Sequence, residues 1–255
     1  MHTRAEILQA SAAWVWFPRG SEQDDTELQL VRYPERFGGG VRASAVRSTA
    51  DAAAVLDRAI DRTREWGESR LTFWTNAADQ PDLEAEFRRR RADHVDTVEV
   101  FARDVAEPVV AVPEGVDAEV VRTMEQVRDM DAVNVPVWEQ QPLDEEDMRA
   151  EFDEVVSALE AGTHVRVLAR LHGRAVSTGG CTIVDGFARL WGAATLPDAR
   201  GRGAYRAVLA ERLRVAATLG ATTALVKGRT ATSAPILARA GFLRFGEERA
   251  YRLHV

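Results

Sequence analysis

A short run of residues from 195 to 205 combines glycines with arginines and is the strongest candidate for chemistry in this sequence. The run reads Thr-Leu-Pro-Asp-Ala-Arg-Gly-Arg-Gly-Ala-Tyr. A diphosphate group needs several backbone N–H groups aimed at one point, and Gly201 and Gly203 let the chain approach closely enough to provide them. Arg200 and Arg202 can neutralise charge at the edge of such a site. The run therefore predicts a diphosphate-binding loop.

The elements on either side of this loop would position it. The pattern predicts a strand over residues 187–196, which must end at Pro197 because proline cannot donate to a strand ladder. It also predicts a helix over residues 203–219 with an apolar stripe on one face. The first turn of a helix adds unsatisfied amides and the positive end of its dipole. A turn without a ligand is the alternative for any single glycine-rich loop.

The loop resembles the diphosphate loop of the Gcn5-related N-acetyltransferase (GNAT) family. The family pattern is Arg or Gln, two residues, Gly, one residue, and then Gly or Ala. Arg200 and Gly203 match this pattern, whereas Tyr205 stands where a small residue is usual. Residues 233–242 resemble the last helix of the family and its Gly-Phe ending. The resemblance extends over the whole second part of the chain and implies that acetyl-CoA is a co-substrate.

The resemblance also implies a set of residues that bind acetyl-CoA. In the family the strand before the loop splays from its neighbour, so backbone groups near its end pair with the pantetheine arm like an added strand. Carried over to this sequence, the implied set is Ala194, Thr195, Leu196, Arg200, Gly201, Arg202, Gly203, Ala204, Tyr205 and Ser233.

The catalytic residues are not evident from the sequence. Many family members use a glutamate on the strand before the loop and a tyrosine on the last helix. Here that strand contains no acid, and the tyrosine position is Leu237. Glu139, between predicted helices over 124–133 and 144–159, is a candidate base or anchor for a cationic amine, with a solvated loop acid as the alternative. Cys181, in the middle of a strand, is more typical of a buried apolar residue than of a nucleophile.

The composition narrows the class of protein. The chain has 255 residues and a net charge of −7, with acids and arginines interleaved along it, so we expect neither a nucleic-acid partner nor a membrane arm. The sole cysteine, Cys181, provides no disulfide framework and no multi-cysteine metal site, and no apolar run is long enough to span a bilayer. We expect a cytoplasmic protein that needs no metal. The oligomeric state is left open, a homodimer included.

Prolines and glycines divide the chain. They predict a first domain over residues 1–105, a linker over 106–117 and a second domain over 118–255. Both parts end with a helix closed by glycine, a short strand, a short helix and a long strand, which favours an internal repeat over a chance series. The first part has an ordinary capping sequence at residues 48–51 in place of the glycine-rich loop, so we interpret it as a degenerate copy.

The expected fold class is α/β: a mixed, mostly antiparallel sheet flanked by helices, as in the acyl-CoA N-acyltransferase fold, in two tandem domains. The resemblance implies an N-acetyltransferase that moves an acetyl group from acetyl-CoA to the amine of a small molecule. The alternative is a non-catalytic module that binds acyl-CoA or docks a partner, which the acid-free strand and Leu237 favour.

Overall fold

A computed structural model describes residues 2–76, 80–107 and 111–255 of the protein. Its contacts form two compact units. Within the described ranges, the first unit contains residues 3–101, 227–237 and 244–255, and the second contains residues 2, 102–226 and 238–243. The end of the chain, which the sequence placed in a continuous second domain, thus lies largely in the first unit.

The helices and strands of the first unit end in the predicted order of a helix, a short strand, a short helix and a long strand, and one additional strand lies near their start. They are α1 (Arg4–Ala12), β1 (Glu22–Asp25), β2 (Gln29–Arg32), β3 (Val41–Ser44), α2 (Ala52–Glu65), β4 (Arg70–Thr75), α3 (Pro81–Arg89) and most of β5 (Asp93–Asp104). The additional strand is β1, which pairs antiparallel with β2. Its sequence is entirely polar and largely exposed, so no hydrophobic alternation marks it.

The elements of the second unit also follow the predicted order. They are β6 (Val116–Val120), α4 (Met124–Trp138), α5 (Glu145–Glu160), β7 (His164–Leu171), β8 (Arg174–Val184), β9 (Phe187–Thr195), α6 (Ala204–Thr218) and the first half of β10 (Thr223–Arg229). The last helix, α7 (Ala234–Arg239), and most of the last strand, β11 (Leu243–His254), lie in the first unit.

The strands of each unit form a mixed sheet. In the first unit β1, β2 and β3 pair antiparallel, β3 and β4 pair parallel, and β4 pairs antiparallel with β11. The β4–β11 register runs from Thr75 opposite Arg249 to Arg70 opposite His254, and this long-range pairing is why the chain end joins the first unit. In the second unit β6 to β9 pair antiparallel in sequence order, and β9 pairs parallel with β10.

Buried apolar side chains fix the helices against these sheets. Helix α2 buries Val55, Leu56, Ala59 and Ile60 in a cluster with β3 and β4 residues. Helix α6 buries residues in a cluster with β6, β7 and β8, among them Ala204, Ala207 and Val208. These are the spacings of one helix face, so the sequence pattern is the cause of the packing.

Helix α4 is longer than the sequence predicts. It continues from the expected end at Val133 to Trp138, and Pro136 lies inside its last turn. A proline there removes only a hydrogen bond near the end of the helix, so the last turn persists. Glu139 therefore stands at the C-cap of the helix rather than in an open loop.

Candidate functional site

The glycine-rich loop lies where the sequence placed it, between the end of β9 and the start of α6. Strand β9 ends at Thr195, and a single 3₁₀ turn over Pro197–Ala199 reverses the chain. Gly201 has a φ of +75° and Gly203 a φ of +90°. Residues with a side chain rarely adopt these left-handed φ values, so both positions favour glycine.

Backbone amides at the start of α6 have no partner among the residues that the structure describes. Gly203 is the N-cap of the helix and has no side chain to satisfy them. The first intrahelical bond runs from the N–H of Ala207 to the carbonyl of Gly203, at 3.1 Å. Among the described residues, no acceptor lies on the amides of Gly201, Gly203, Ala204 or Tyr205. Unsatisfied amides at the positive end of a helix dipole are a binding site for an anion.

Positive charge surrounds these amides. Arg200 and Arg202 are exposed, and Nε of Arg200 donates to the carbonyl of Thr195 at 3.4 Å. The one acid of the run, Asp198, is paired with Arg174 at 2.6 Å. Hydrogen bonding from Arg174 holds the pKa of the Asp198 carboxyl below its usual value. Its charge is thus already compensated by Arg174, which limits its repulsion of an anion at the loop.

The two glycines differ in what surrounds them. A Cβ at Gly203 would lie 2.6 Å from Cδ and Cγ of Pro113, so this side of the glycine is covered by the segment before β6. Nothing lies within 4 Å of a Cβ at Gly201. The same segment also contacts Arg206, whose Nη1 donates to the carbonyl of Ala111 at 3.1 Å. The loop therefore has one covered side, at Gly203, and one open side, at Gly201.

Strand β9 contains a bulge shortly before the loop. Its antiparallel register with β8 places Trp191 opposite Gly180 and Ala194 opposite Thr178, so two residues of β9 face one residue of β8. Gly192, within the bulge, has a φ of +59°. Both residues of the bulge, Gly192 and Ala193, are exposed. Bulges bend a strand and interrupt its pairing, which leaves this part of β9 accessible.

The other edge of β9 is also partly unpaired. Its parallel register with β10 runs from Phe187 opposite Thr223 to Leu190 opposite Val226. Residues 191–195 of β9 lie outside this register, although they still belong to the strand. An extended ligand can add to such an edge as a further strand. This is the segment that holds the predicted Ala194 and Thr195.

A buried arginine and a pair of glycines support the bulge, and the sequence analysis did not find them. Arg212 of α6 is 1% exposed, and its Nη1 lies 3.2 Å from the carbonyl of Gly180 and 3.4 Å from that of Trp191. A Cβ at Gly179 would meet Nη1 of Arg212 at 3.0 Å, and one at Gly180 would meet the Trp191 indole at 2.6 Å. The Gly179-Gly180 pair was the available signal, since glycine within a strand marks a close approach of other groups.

The candidate acceptor residues lie at the end of α4. Glu139 is exposed, has a φ of +52° and caps the helix, and no described residue pairs with its carboxylate. Asp131 lies about two turns before Glu139 on α4, and its carboxylate was not predicted as a candidate from the sequence. It is 7% exposed, and burial raises the pKa of its carboxyl. Its Oδ2 accepts the N–H of Leu143 at 3.3 Å, and its buried Oδ1 has no partner.

The remaining candidates have structural surroundings. Burial raises the pKa of the Cys181 thiol to about 12, which agrees with its interpretation as a buried apolar residue rather than a nucleophile. Leu237, at the family's tyrosine position, is 1% exposed and would contact any Cβ at Gly228. Ser233, predicted to bind acetyl-CoA, lies in the first unit, where its Oγ accepts the N–H of Arg229 at 2.8 Å.

The described ranges contain neither a metal-binding cluster nor a membrane-spanning helix. Within them, no group of three or more histidine, cysteine, aspartate and glutamate residues could hold a metal ion. No described helix has both the length and the apolar character that crossing a membrane requires.

The mixed sheet, the bulged strand and the amide-lined helix start together define the fold of acyl-CoA N-acyltransferases. Residues 125–242 match the model of the Acetyltransferase (GNAT) family. This match confirms, for that segment, the resemblance to the family that the sequence shows.

Solved structures agree on the fold. A GCN5-related N-acetyltransferase from Kribbella flavida is 21% identical, with a TM-score of 0.67 over 92% of this chain and 90% of that chain. One from Sphaerobacter thermophilus is 18% identical, with a TM-score of 0.66 over 89% and 80%. A tandem GNAT protein from the clavulanic acid biosynthesis pathway is 13% identical, with a TM-score of 0.67 over 96% and 87%. At these identities the likeness shows the fold alone. A comparison with curated proteins found no match.

Proposed function

We propose that this chain transfers an acetyl group from acetyl-CoA to the amine of a small molecule. The observation that carries the proposal is the amides of Gly201, Gly203, Ala204 and Tyr205, for which the described residues provide no acceptor, beside an Asp198 that is already paired with Arg174. A diphosphate bound there would receive these N–H groups, the helix dipole and the charges of Arg200 and Arg202. Residues 191–195 of β9 would then pair with the pantetheine arm.

The reaction needs little from the protein beyond positioning. The amine nitrogen attacks the thioester carbonyl carbon, a C–N bond forms, the C–S bond breaks, and the thiolate leaves and takes up a proton. The attacking nitrogen loses a proton to a base or to water. Glu139 remains the candidate for that base or for an anchor of a cationic amine, since its carboxylate is exposed and unpaired.

A second candidate is a module that binds acyl-CoA without turnover. Two observations favour it. Strand β9 contains no acid, and Leu237 fills the position of the family's tyrosine with a buried apolar side chain. This candidate needs the same loop and β9 edge, so it differs from the first in chemistry rather than in binding.

Calorimetric titration with acetyl-CoA tests both candidates at once, because both require binding. Release of free thiol in the presence of a panel of small amines then separates them: turnover supports the transferase, and binding without turnover across the panel supports the module. The Glu139→Gln variant has the same shape without the charge. If Glu139 serves as the base, this variant loses about 100-fold in turnover while its acetyl-CoA affinity is unchanged.

The proposal assigns acetyl-CoA to the second domain, over residues 118–255, and makes the domain over residues 1–105 a degenerate copy. Both units contain a strand, a helix and a strand parallel to the first, which supports the repeat.

The sole cysteine, Cys181, supports a cytoplasmic location. The cofactor set, with Ser233 included, and a homodimer remain predictions.

A further inference from the structure

Arg212 is a buried cation that has no role in the acetyl transfer proposed above. It is 1% exposed, and no described acid lies within ion-pair distance of it. Its Nε is buried and has no hydrogen-bond partner. A buried charge without a counterion destabilises a fold, and an apolar side chain of similar volume would pack at lower cost. Packing alone does not explain an arginine at this position.

The guanidinium of Arg212 contacts β9 at Trp191, the residue before the bulge. Its Nη1 lies 3.2 Å from the carbonyl of Gly180 and 3.4 Å from that of Trp191, which are opposite each other in the register. The indole of Trp191 is separately fixed, because its Nε1 donates to Oγ1 of Thr182 at 2.8 Å. The carbonyl of Trp191 belongs to the peptide unit that leads into the bulge.

That peptide unit has a second polar end. The described chain contains no cis peptide bond, and in a trans peptide the C=O and the N–H point in opposite directions. Since the Trp191 carbonyl points toward Arg212, the N–H of Gly192 points away from it. Gly192 is exposed and lies in the part of β9 that is outside the register with β10. A cation on the carbonyl polarises the amide and strengthens the N–H as a donor.

We propose that Arg212 is a positioning residue that fixes and polarises the Trp191–Gly192 peptide, so that the Gly192 N–H donates to the acyl oxygen of the bound thioester. In the tetrahedral adduct that oxygen carries the negative charge, so the donor is needed most as the C–N bond forms. The charge of Arg212 acts through the peptide and does not contact the substrate. This inference rests on the proposed binding of acetyl-CoA to β9.

The Arg212→Met variant tests the proposal, with Arg214→Met as the matched control. Methionine keeps much of the volume and removes the charge. Arg214 lies on the same helix and is exposed, and its one ion-pair partner among the described residues is Glu211, at 2.6 Å. Its removal therefore takes a charge from α6 and leaves the contacts with β9 in place. Arg212→Gln serves as a second variant that removes the charge but keeps a hydrogen-bond donor, should the methionine variant fail to fold.

The decisive measurement is the infrared carbonyl band of acetyl-CoA labelled with ¹³C at the thioester carbon and bound to each variant. We expect the band to lie below its solution frequency in the parent and in Arg214→Met. In Arg212→Met it should return toward the solution frequency, while thiol release falls about tenfold in kcat with little change in KM. The melting temperature of Arg212→Met should not fall, because an unpaired buried charge has been removed.

Two results separate failure of this inference from failure of the proposed function. If the parent protein shows no heat of binding with acetyl-CoA, the proposed function fails and the inference fails with it. If acetyl-CoA binds but its carbonyl band is the same in the parent and in Arg212→Met, or in Arg212→Gln where methionine does not fold, only the role of Arg212 is refuted. A lower melting temperature with an unchanged band would likewise mean that Arg212 serves packing alone.

Discussion

Helices α2 and α6 occupy the same place in their units, since each connects two parallel strands, yet their N-termini differ. Asp51 caps α2, and its carboxylate accepts the N–H of Ala54 at 2.8 Å. Gly203 caps α6 and offers no side chain. A carboxylate at a helix start satisfies an amide and opposes the positive end of the dipole. Of these two helices, α6 starts without a side-chain cap and without a carboxylate that would oppose an anion from outside the protein.

The difference extends to the strand before each helix and to the helix interior. The parallel register of β3 with β4 reaches Ala43, one residue before β3 ends, whereas that of β9 stops at Leu190. The buried polar residue of α2 is Thr63, whose hydroxyl donates to the carbonyl of Ala59 in the same helix at 2.7 Å. That of α6 is Arg212, which reaches the strands. The buried polar side chain of α2 is therefore satisfied within its own helix, whereas that of α6 depends on carbonyl groups of the strands.

The largest expected effect comes from placing a carboxylate in the open loop, which would give α6 the charge that α2 already has. Asn and Asp both tolerate the left-handed conformation of Gly201, and nothing lies within 4 Å of a Cβ there. We expect Gly201→Asp to bind acetyl-CoA about 100-fold more weakly than Gly201→Asn, because like charges brought together cost several kcal/mol. Titration calorimetry measures the ratio.

The asparagine variant is the control for backbone strain, since the two variants differ only in charge. A substitution at Gly203 would be harder to interpret, because any Cβ there meets the ring of Pro113 at 2.6 Å. Equal affinities for the Asn and Asp variants would mean that no anion lies on these amides, and the contrast between α2 and α6 would then have no functional meaning.

A smaller effect is expected from removing the cap of the first unit. Asp51→Ala leaves the N–H of Ala54 without its acceptor and should lower the free energy of unfolding by about 1 kcal/mol. Its acetyl-CoA affinity should stay within about twofold of the parent, because binding is assigned to α6. Urea denaturation and calorimetry give the two quantities. Asp51→Asn, which keeps a capping oxygen, should retain most of the stability.

If Asp51→Ala changes the affinity for acetyl-CoA more than Asp51→Asn does, a ligand binds at α2. The first unit could then no longer be described as a degenerate copy.

Local features of the sequence predicted most of this arrangement, and long-range features did not. The loop was predictable because Pro197, Gly201 and Gly203 act on their own neighbourhood. The burial of Arg212 was not, since arginine is usually exposed and the space for it is made by Gly179, which lies far away in the chain. The pairing of β11 with β4 escaped prediction for the same reason, because nothing in either strand specifies its partner.

The smallest expected effects concern two carboxyl groups whose pKa values shift in opposite directions in the two units. In the first unit, hydrogen bonds from Arg89 and Arg90 lower the pKa of Glu86 to about 2. This group stabilises the fold above its unfolded pKa, and the contribution is lost as pH falls toward about 2. In the second unit, burial raises the pKa of Asp131. This group destabilises the fold as pH rises from its unfolded pKa of about 3.9 through the raised value.

Asp131→Asn removes that charge and keeps an oxygen for the N–H of Leu143. We expect it to be more stable than the parent by up to about 1 kcal/mol at pH 7, with the difference vanishing below about pH 4. Glu86→Gln should be less stable than the parent at pH 7, and its difference should vanish toward pH 2. Urea denaturation across this range measures both. If Asp131→Asn is instead less stable at pH 7, the ionised carboxylate of Asp131 has a partner in the native protein, as the carboxylate of Glu86 has in Arg89 and Arg90.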